Sequence, residues 1–399
     1  MGTAQIAILC GGLGTRLGDL TAATPKPLLP VGGMPFLDHL LLELGRFGYR
    51  EIVLLACFEA EQVAHFARHS VAAARFGMTL KVSVEPDRAG TGGALWHARD
   101  LLADEFIVLN GDTWLDVNFH RLAALRCDGD TLAAMALRRV DDPARYSLVT
   151  FAQGMVTCFE CGVADQGAGY INGGVVACSR ELLTHLPQTG ALEQLVWPQL
   201  ARSGQLAGLA VHGFFLDIGV PHSFAEAQRT IPARHRRGAV FFDRDGVLNV
   251  DHGHVGSRDR FEWMPGAREA VRLVNEAGLY AFVVTNQAGV AKGFYTEDDV
   301  LALHAFMQDD LNRAGAHIDA FRYSPYHVDG VVPAYARASD CRKPGPGMLT
   351  SLMGEWLVDG ERSVLIGDND SDLAAAAAAG IAAIKYSNGA LDDLVRTLL

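Results

Sequence analysis

Positive charge is what this chain has least of for its size: 34 lysines and arginines stand against 46 aspartates and glutamates, a formal net charge of −12. That balance disfavours phosphate backbones and anionic headgroups, so neither nucleic acid nor a membrane surface is an expected partner. A phosphorylated small molecule is not excluded, because one pocket can be basic within an acidic protein. Long apolar runs are missing too. No stretch of about 20 apolar residues occurs, and the N-terminus lacks a basic segment followed by an apolar core. Cysteine is sparse and irregular: Cys10, Cys57, Cys127, Cys158, Cys161, Cys178 and Cys341 are odd in number and show no framework spacing. A reducing compartment is the simpler setting. A soluble, cytoplasmic protein is therefore expected, with homo-oligomerisation left open.

What remains suits well-packed cores. Hydrophobic residues make up 49% and charged residues 20%, a globular rather than a disordered composition. At 399 residues, two domains are expected. Strand-length apolar runs alternate with helix-length amphipathic segments, the pattern of α/β layering around a mostly parallel sheet. The first part predicts strands at Ile6–Cys10, Ile52–Ala56, Lys81–Val84 and Phe106–Asn110, and helices at Phe36–Phe47 and Ala60–Phe76. Shorter strands crowd Thr131 to Phe159, and Tyr170–Ala177 is another. Around "IPARHRRG" the pattern lapses into Pro, Gly and clustered Arg, which predicts a linker at 231–238 between domains of residues 1–230 and 239–399. The alternation then restarts, with strands at Ala239–Phe242, Tyr280–Val284 and Ser363–Ile366. The alanine run after Leu373 reads as a helix with a small-residue face.

Two separate stretches carry phosphate chemistry. In the first, "GGLGTRL" (Gly11–Leu17) follows a strand directly, and its glycines, Gly11, Gly12 and Gly14, with Thr15, let backbone amides approach phosphate oxygens. Alone this is a modest signal. It strengthens with Arg16 and with "TPKPLLPVGG", where Lys26 is fixed between prolines and calls for an anionic partner. "LNGDT" places Asn110 and Asp112 at one strand end, and "FLDIG" places Asp217 at another. Two such carboxylates can hold a hard Mg²⁺ against a triphosphate. Together these features make residues 1–230 resemble the sugar-1-phosphate nucleotidyltransferases. The resemblance implies a Rossmann-like, GT-A-like fold in which Arg16 and Lys26 align and neutralise the reacting phosphates. It also implies nucleotide contacts along Gly11, Gly12 and "GTGGA" (Gly90–Ala94, including Gly92), and sugar contacts from Asn172 and Gly173. One departure stands out: Glu160 is present, but Cys161 occupies the place where a sugar-phosphate lysine is common.

The second stretch opens with "FFDRDGVLN" (Phe241–Asn249), which delivers Asp243 and Asp245 to a sheet edge. One carboxylate can attack phosphorus while the other serves as acid and base, and Mg²⁺ is needed to relieve the repulsion between anions. "VVTNQ" adds Thr285 and Asn286 as phosphate donors, "CRKPGPG" adds Arg342 and Lys343, and "LIGDNDSD" adds Asp368 as a metal ligand, with Asp372 in support. In this order, the set resembles the haloacid dehalogenase superfamily over residues 239–399. "NVDHGHV", "FEWMPGA", "TNQAGVAKGFY" and "CRKPGPGM" look most like the D-glycero-D-manno-heptose-1,7-bisphosphate 7-phosphatases, with histidinol-phosphate phosphatases as siblings. The resemblance implies a Rossmannoid domain, Asp243 as nucleophile, Asp245 as general acid and base, and Mg²⁺ on Asp243, Asp368 and the Asp245 carbonyl. Such relatives usually carry a zinc loop. Here Ser324, Tyr326 and Ser339 stand at three ligand positions and only Cys341 survives, beside a stray His327. No structural zinc is expected, and Pro325, Tyr326, Val331, Val332 and Tyr335 are expected to pack the loop instead.

The pairing has a chemical logic. A phosphatase that turns heptose 1,7-bisphosphate into heptose 1-phosphate makes the nucleophile that a nucleotidyltransferase needs. The expected substrates are therefore heptose phosphates and a nucleoside triphosphate, with GTP selected by that pairing and not by any residue. Two alternatives stay open: a hexose-1-phosphate nucleotidyltransferase joined to a histidinol-phosphate-type phosphatase, and a non-catalytic, nucleotide-sugar-sensing N-terminal domain regulating the phosphatase.

Overall fold

The apolar runs fold as the central strands of two separate sheets. The structure is a computed structural model that describes residues 5–127, 130–142, 146–159 and 168–399. It divides into two compact units, Met1–Ala233 and Arg234–Leu399.

In the first unit the chain runs through β1 (Gln5–Leu9), a small hairpin of β2 (Pro30–Val31) and β3 (Met34–Pro35), β4 (Glu51–Ala56), β5 (Thr79–Val84) and β6 (Glu105–Asn110). β7 (Thr113–Leu115), β8 (Ala133–Val140), β9 (Leu148–Ala152), β10 (Met155–Phe159), β11 (Gly169–Ser179), β12 (Leu206–Val211) and β13 (Phe215–Asp217) follow. Nine strands make one sheet in the order β5-β4-β1-β6-β11-β8-β12-β10-β9. Only β5, β4, β1 and β6 form the continuous parallel half. Beyond them β11 runs antiparallel to both β6 and β8, so the sheet is mixed rather than mostly parallel. Short connections explain the difference: β9 turns into β10 through Gln153 (φ 50°) and Gly154 (φ 78°), a tight reversal that only antiparallel strands can use.

Two further expectations change. The helix expected over Ala60–Phe76 is two, Ala60–His69 and Val71–Phe76, parted at extended Ser70. The Ser70 hydroxyl accepts the Ala73 amide at 3.0 Å, starting the second helix, and donates to the buried Asp38 carboxylate at 2.5 Å. The stretch expected as a linker is also largely packed. Helix Pro221–Ala233 runs into it, with Ile231 fully buried. Pro232 sits in the last turn, where it forfeits only one amide bond. It presses on the β2–β3 turn, so that a Cβ on Gly32 would come within 2.1 Å of its ring. Among the described cysteines, Cys10, Cys57, Cys127, Cys178 and Cys341 are free.

The second unit is a parallel sheet throughout: β14 (Ala239–Phe242), β15 (Tyr280–Asn286), β16 (Ala320–Ser324), β17 (Val364–Gly367) and β18 (Ala382–Lys385), in the order β16-β15-β14-β17-β18. Its central strands are buried on both faces, which is why they read as continuous apolar runs. The alanine run lies in helix Asp370–Ala379, where Ala375 and Ala376 are fully buried, and Asn369 with Asp372 forms a capping box at its start. No helix among the described residues is long and apolar enough to cross a membrane.

Ser70→Ala removes both the cap and the donor to a buried carboxylate. The loss expected is about 2 kcal/mol of stability, read as a lower denaturation midpoint for the first unit.

Candidate active sites

Parallel pairing of β1 with β6 brings two carboxyl ends to one sheet edge. The glycine-rich loop leaves β1 there and Asp112 follows β6, tied together by the Gly111 amide donating to the Leu9 carbonyl at 3.0 Å. Gly14 adopts φ 62° before the 3-10 turn Thr15–Thr21. A Cβ at Gly14 would meet Thr21 at 2.9 Å and the Lys26 stem at 3.1 Å, so the loop lies directly against Lys26. Lys26 Nζ in turn sits 2.7 Å from Asp112 Oδ2. Asp217 arrives from the other side, on β13, which pairs antiparallel with β7 and sets Asp217 opposite Thr113. Its Oδ1 accepts the Gly219 amide at 2.6 Å, and the Tyr146 hydroxyl donates to Oδ2 at 3.4 Å.

A cavity of about 280 Å³ opens at this edge, lined by Arg16, Asn110, Asp112, Thr113, Tyr146, Ser147, Phe159, Asn172, Glu193, Phe215 and Asp217. Asn172 comes in because β11 slips register against β8 between Asn172 and Val176. Its Oδ1 accepts the Gly174 amide at 2.9 Å, and Gly174 (φ 81°) leaves just enough room for Asn110. Other predicted residues lie outside this lining. Gly12 faces open space, whereas Gly11 is close-packed on Cys57 and Glu85. Gly173 is buried against Leu115 and the Ala136 carbonyl. Gly92 gives its amide to the Gly190 carbonyl at 2.9 Å and packs on Pro187, so the "GTGGA" glycines serve close helix–loop packing in this structure. Glu160 and Cys161 lie outside the described residues.

In the second unit, β14, β15 and β17 end side by side. The Asp243 amide donates to the Ile366 carbonyl at 2.9 Å, which fixes the nucleophile candidate at the sheet edge. Lys343 Nζ is buried between two carboxylates, 2.8 Å from Asp243 Oδ1 and 2.6 Å from Asp372 Oδ1, and donates to the Val284 carbonyl at 2.9 Å. The approach to Asp372 is an ion pair whose alignment falls short of a hydrogen bond. Burial pulls the Lys343 ammonium down, but the two carboxylates more than offset it and its pKa is raised. Burial pushes the Asp243 carboxyl well above its usual range; Lys343 opposes this, and Asp372 and Asp245 reinforce it. Asp368 is raised by burial and by Asp372. Ligand atoms of Asp243, Asp368 and Asp372 fall within 4.8 Å of one another, a group able to hold a cation, and Asp372 belongs to it as fully as Asp368. Gly246, at φ 85°, leaves Asp368 its place: a Cβ there would lie 2.5 Å from Asp368 Oδ2.

Asp245 is held by four donor contacts: Arg244 Nη2 at 3.1 and 3.0 Å, Asn249 at 3.0 Å and Gln287 at 2.8 Å. The buried Thr285 hydroxyl accepts from Gln287 at 2.8 Å and keeps its proton for another acceptor. Asn286 differs from expectation. Both ends of its amide engage the Lys343 backbone, each at 3.0 Å, so its side chain positions the lysine. A cavity of about 440 Å³ is lined by Asp243, Asp245, Asp251, Gly253, His254, Thr285, Asn286, Ala288, Lys292, Tyr295, His327, Arg342, Lys343, Asn369 and Ser371.

Several of these were not singled out from sequence. Arg244 lies in the turn between the two named aspartates and is fully buried, and a cation removed from water needs partners there. His254 and Lys292 sit in glycine-rich segments whose charge was the only available hint. Neither Lys292 nor Arg342 has a carboxylate partner among the described residues, and both line the cavity, together with Asp251 and His254. The loop from Ser324 to Cys341 is packed less by aliphatic side chains than expected. Pro325 is buried, but Val331 is 74% exposed and contributes its backbone: the Val331 and Val332 amides donate to the Ala291 carbonyl at 2.8 and 3.0 Å.

Comparison with known proteins finds relatives for both units. Residues 6–234 match the nucleotidyl transferase family and residues 340–395 the HAD-hydrolase-like family. A D-glycero-beta-D-manno-heptose-1,7-bisphosphate 7-phosphatase of Rhodopseudomonas palustris is 50% identical over 164 residues, 41% of this chain and 91% of that protein. The protein of the same name from Yersinia pestis is 41% identical over 143 residues, 36% of this chain and 76% of its own length. Among solved structures, HddC from Yersinia pseudotuberculosis is similar with a TM-score of 0.50 at 27% identity, covering 57% of this chain and 98% of HddC.

Gly246→Ala forces either Asp368 or the backbone to move. Phosphate release is expected to fall by about 10²-fold, the scale on which a displacement of about 1 Å acts, while the first unit's chemistry is unchanged. Steady-state assays of the two half-reactions on the same preparation check this.

Proposed function

This chain belongs to the nucleotidyl transferase family over residues 6–234 and to the heptose-bisphosphate phosphatase family through its C-terminal unit, and from that premise we propose a bifunctional enzyme of nucleotide-activated heptose synthesis. The C-terminal unit dephosphorylates D-glycero-D-manno-heptose 1,7-bisphosphate at position 7. The N-terminal unit transfers a nucleotidyl group to the resulting heptose 1-phosphate and releases pyrophosphate.

The observation that carries the reading is the arrangement of charge in the second cavity. One set is Asp243 with Lys343 and the cluster of three carboxylates; the other is Lys292 and Arg342, which line the same cavity without acidic partners among the described residues. A substrate with a phosphate at each end fits both. Histidinol phosphate, with an ammonium at the far end, would meet like charge, which disfavours that alternative. In the reaction Asp243 attacks phosphorus and the bond to the 7-oxygen breaks, while Asp245 gives that oxygen its proton. Water then cleaves the aspartyl-phosphate, with Asp245 taking the proton back. Lys343 and the Thr285 hydroxyl hold the phosphoryl oxygens, and Asn286 keeps Lys343 in place. The cluster suits Mg²⁺ on Asp243, Asp368 and the Asp245 carbonyl, where it would neutralise the phosphate charge.

In the first unit the heptose 1-phosphate oxygen attacks the α-phosphorus of the nucleoside triphosphate and the bond to the β-phosphate breaks. No covalent enzyme intermediate is needed. Arg16 and Lys26 align and neutralise the phosphates, and Asn172 faces the sugar. Asp112 and Asp217, which line one cavity, suit a second Mg²⁺. GTP is the nucleotide we assign, on the logic of the pairing. The protein acts in the cytoplasm on small molecules and not on nucleic acid, and its Ser324–Cys341 loop carries no zinc.

Supplied with heptose 1,7-bisphosphate, Mg²⁺ and each nucleoside triphosphate in turn, the protein is expected to form a nucleotide-heptose from GTP. Asp243→Asn should abolish phosphate release, a loss of about 10³-fold or more, yet still convert supplied heptose 1-phosphate. Asp112→Ala should do the reverse. Loss of both activities in either variant, or product with no nucleotide, sinks the assignment. Metal analysis after removal of adventitious ions is expected to find no zinc, and a stoichiometric amount refutes that part.

A further inference from the structure

The connection 325–346, between β16 and helix Gly347–Glu355, has no strand or helix of its own. Connections beyond about 15 residues of this kind are uncommon in compact folds and need something to hold them. This one carries three residues of the cavity wall, His327, Arg342 and Lys343, of which Lys343 is held separately by Asn286 and its two carboxylates. Glu297 is one of the points that fix it, beside the Ala291 carbonyl and Asn286. Glu297, in the first turn of helix Glu297–Arg313, accepts the Tyr335 hydroxyl at Oε1 and the Tyr323 hydroxyl at Oε2, both at 2.6 Å. Short O–H···O⁻ bonds of this sort are about twice as strong as neutral ones. No lysine or arginine among the described residues pairs with Glu297.

Each tyrosine leads to the cavity. Tyr323 is the register partner of Thr285 on the neighbouring strand. The Tyr335 carbonyl accepts the His327 amide at 3.1 Å, and its ring lies 6.1 Å from that of Tyr326. The Tyr326 carbonyl then accepts from the Arg342 guanidinium at 3.3 Å, while Arg337 covers its ring at 4.4 Å. We propose that Glu297 is a positioning residue of the phosphatase cavity: its carboxylate clamps Tyr323 and Tyr335 so that the loop presents His327 and Arg342 to the far end of the substrate. The inference rests on the phosphatase reading above. It assigns Glu297 no contact with the reacting phosphate.

The test uses the full-length protein carrying Tyr335→Phe, Glu297→Gln or Glu297→Asp. Removing one hydroxyl from a half-buried ring leaves folding intact, and the Asp variant keeps both acceptor oxygens. With heptose 1,7-bisphosphate, the first two variants are expected to raise KM about tenfold at nearly constant kcat. Turnover of a small aryl phosphomonoester, which needs only the Asp243 end, should not change, and Glu297→Asp should restore much of the loss. In an Arg342→Ala background the Tyr335→Phe effect should vanish. Unchanged KM, equal loss on both substrates, or full additivity with Arg342→Ala overturns the proposal. Should the unaltered protein fail to hydrolyse the bisphosphate, the phosphatase reading falls, and hydrogen exchange still decides the clamp. Faster exchange of the His327, Val331 and Val332 amides in Tyr335→Phe supports it, and unchanged exchange overturns it.

Discussion

The second unit depends on one buried cation. Lys343 is held between Asp243 and Asp372, all three almost wholly removed from solvent. Isolated buried charges cost several kcal/mol each, and breaking such a pair by removing one partner typically costs about 3–5 kcal/mol. The arrangement is tolerable because the charges meet at a sheet edge, where three parallel strands end together and backbone groups complete the coordination. The strand order β15-β14-β17 is therefore itself an electrostatic device. It converges Thr285, Asp243 and Asp368, and Asn286 reaches across to fix the backbone of the lysine that balances them.

The first unit solves a similar problem with less burial. Lys26 and Asp112 pair at 2.7 Å and both retain some exposure. A pair of this kind contributes little to stability. Its value lies in placement: the lysine that would meet a phosphate and the carboxylate that would meet a metal are pre-paired, and Gly14 packs on the lysine stem. An incoming triphosphate with its cation would exchange partners with them and would not have to create a charged site.

Much of this was legible from the residues alone. Aspartates at the ends of apolar runs, with a glycine within three residues, identified both edges, and Arg16, Asn110, Asp112, Asn172 and Asp217 line one cavity together. What escaped was set by tertiary contact. The resemblance sets the "GTGGA" glycines along the nucleotide, and local sequence cannot add that Gly190 and Pro187 pack directly on them. Asn286 read as a phosphate donor because its engagement with Lys343 spans a sequence separation that no motif encodes. The half-antiparallel sheet was hidden because alternation of apolar runs records burial and not strand direction. The cations Lys292 and His254 lacked any periodic signal, being on irregular segments where only three-dimensional proximity gives them meaning.

The loop from Ser324 to Cys341 shows how a fold can keep a wall in place by different chemistry. Three positions that the resemblance assigns to ligands hold Ser324, Tyr326 and Ser339, residue types poorly suited to complete a thiolate–imidazole site with Cys341. A metal fixes a loop at a single point by strong bonds. Here the same segment is held at several weaker points: two phenols on one carboxylate, two amides on the Ala291 carbonyl, and an arginine over a tyrosine ring. Distributed contacts of this kind cooperate only while the loop keeps one conformation. The positions of His327 and Arg342 are thus coupled to side chains that never approach the reacting phosphate. The proposed Glu297 clamp bears on His327 and Arg342, whereas Lys343, further along the same connection, is fixed separately by Asn286 and by its two carboxylates.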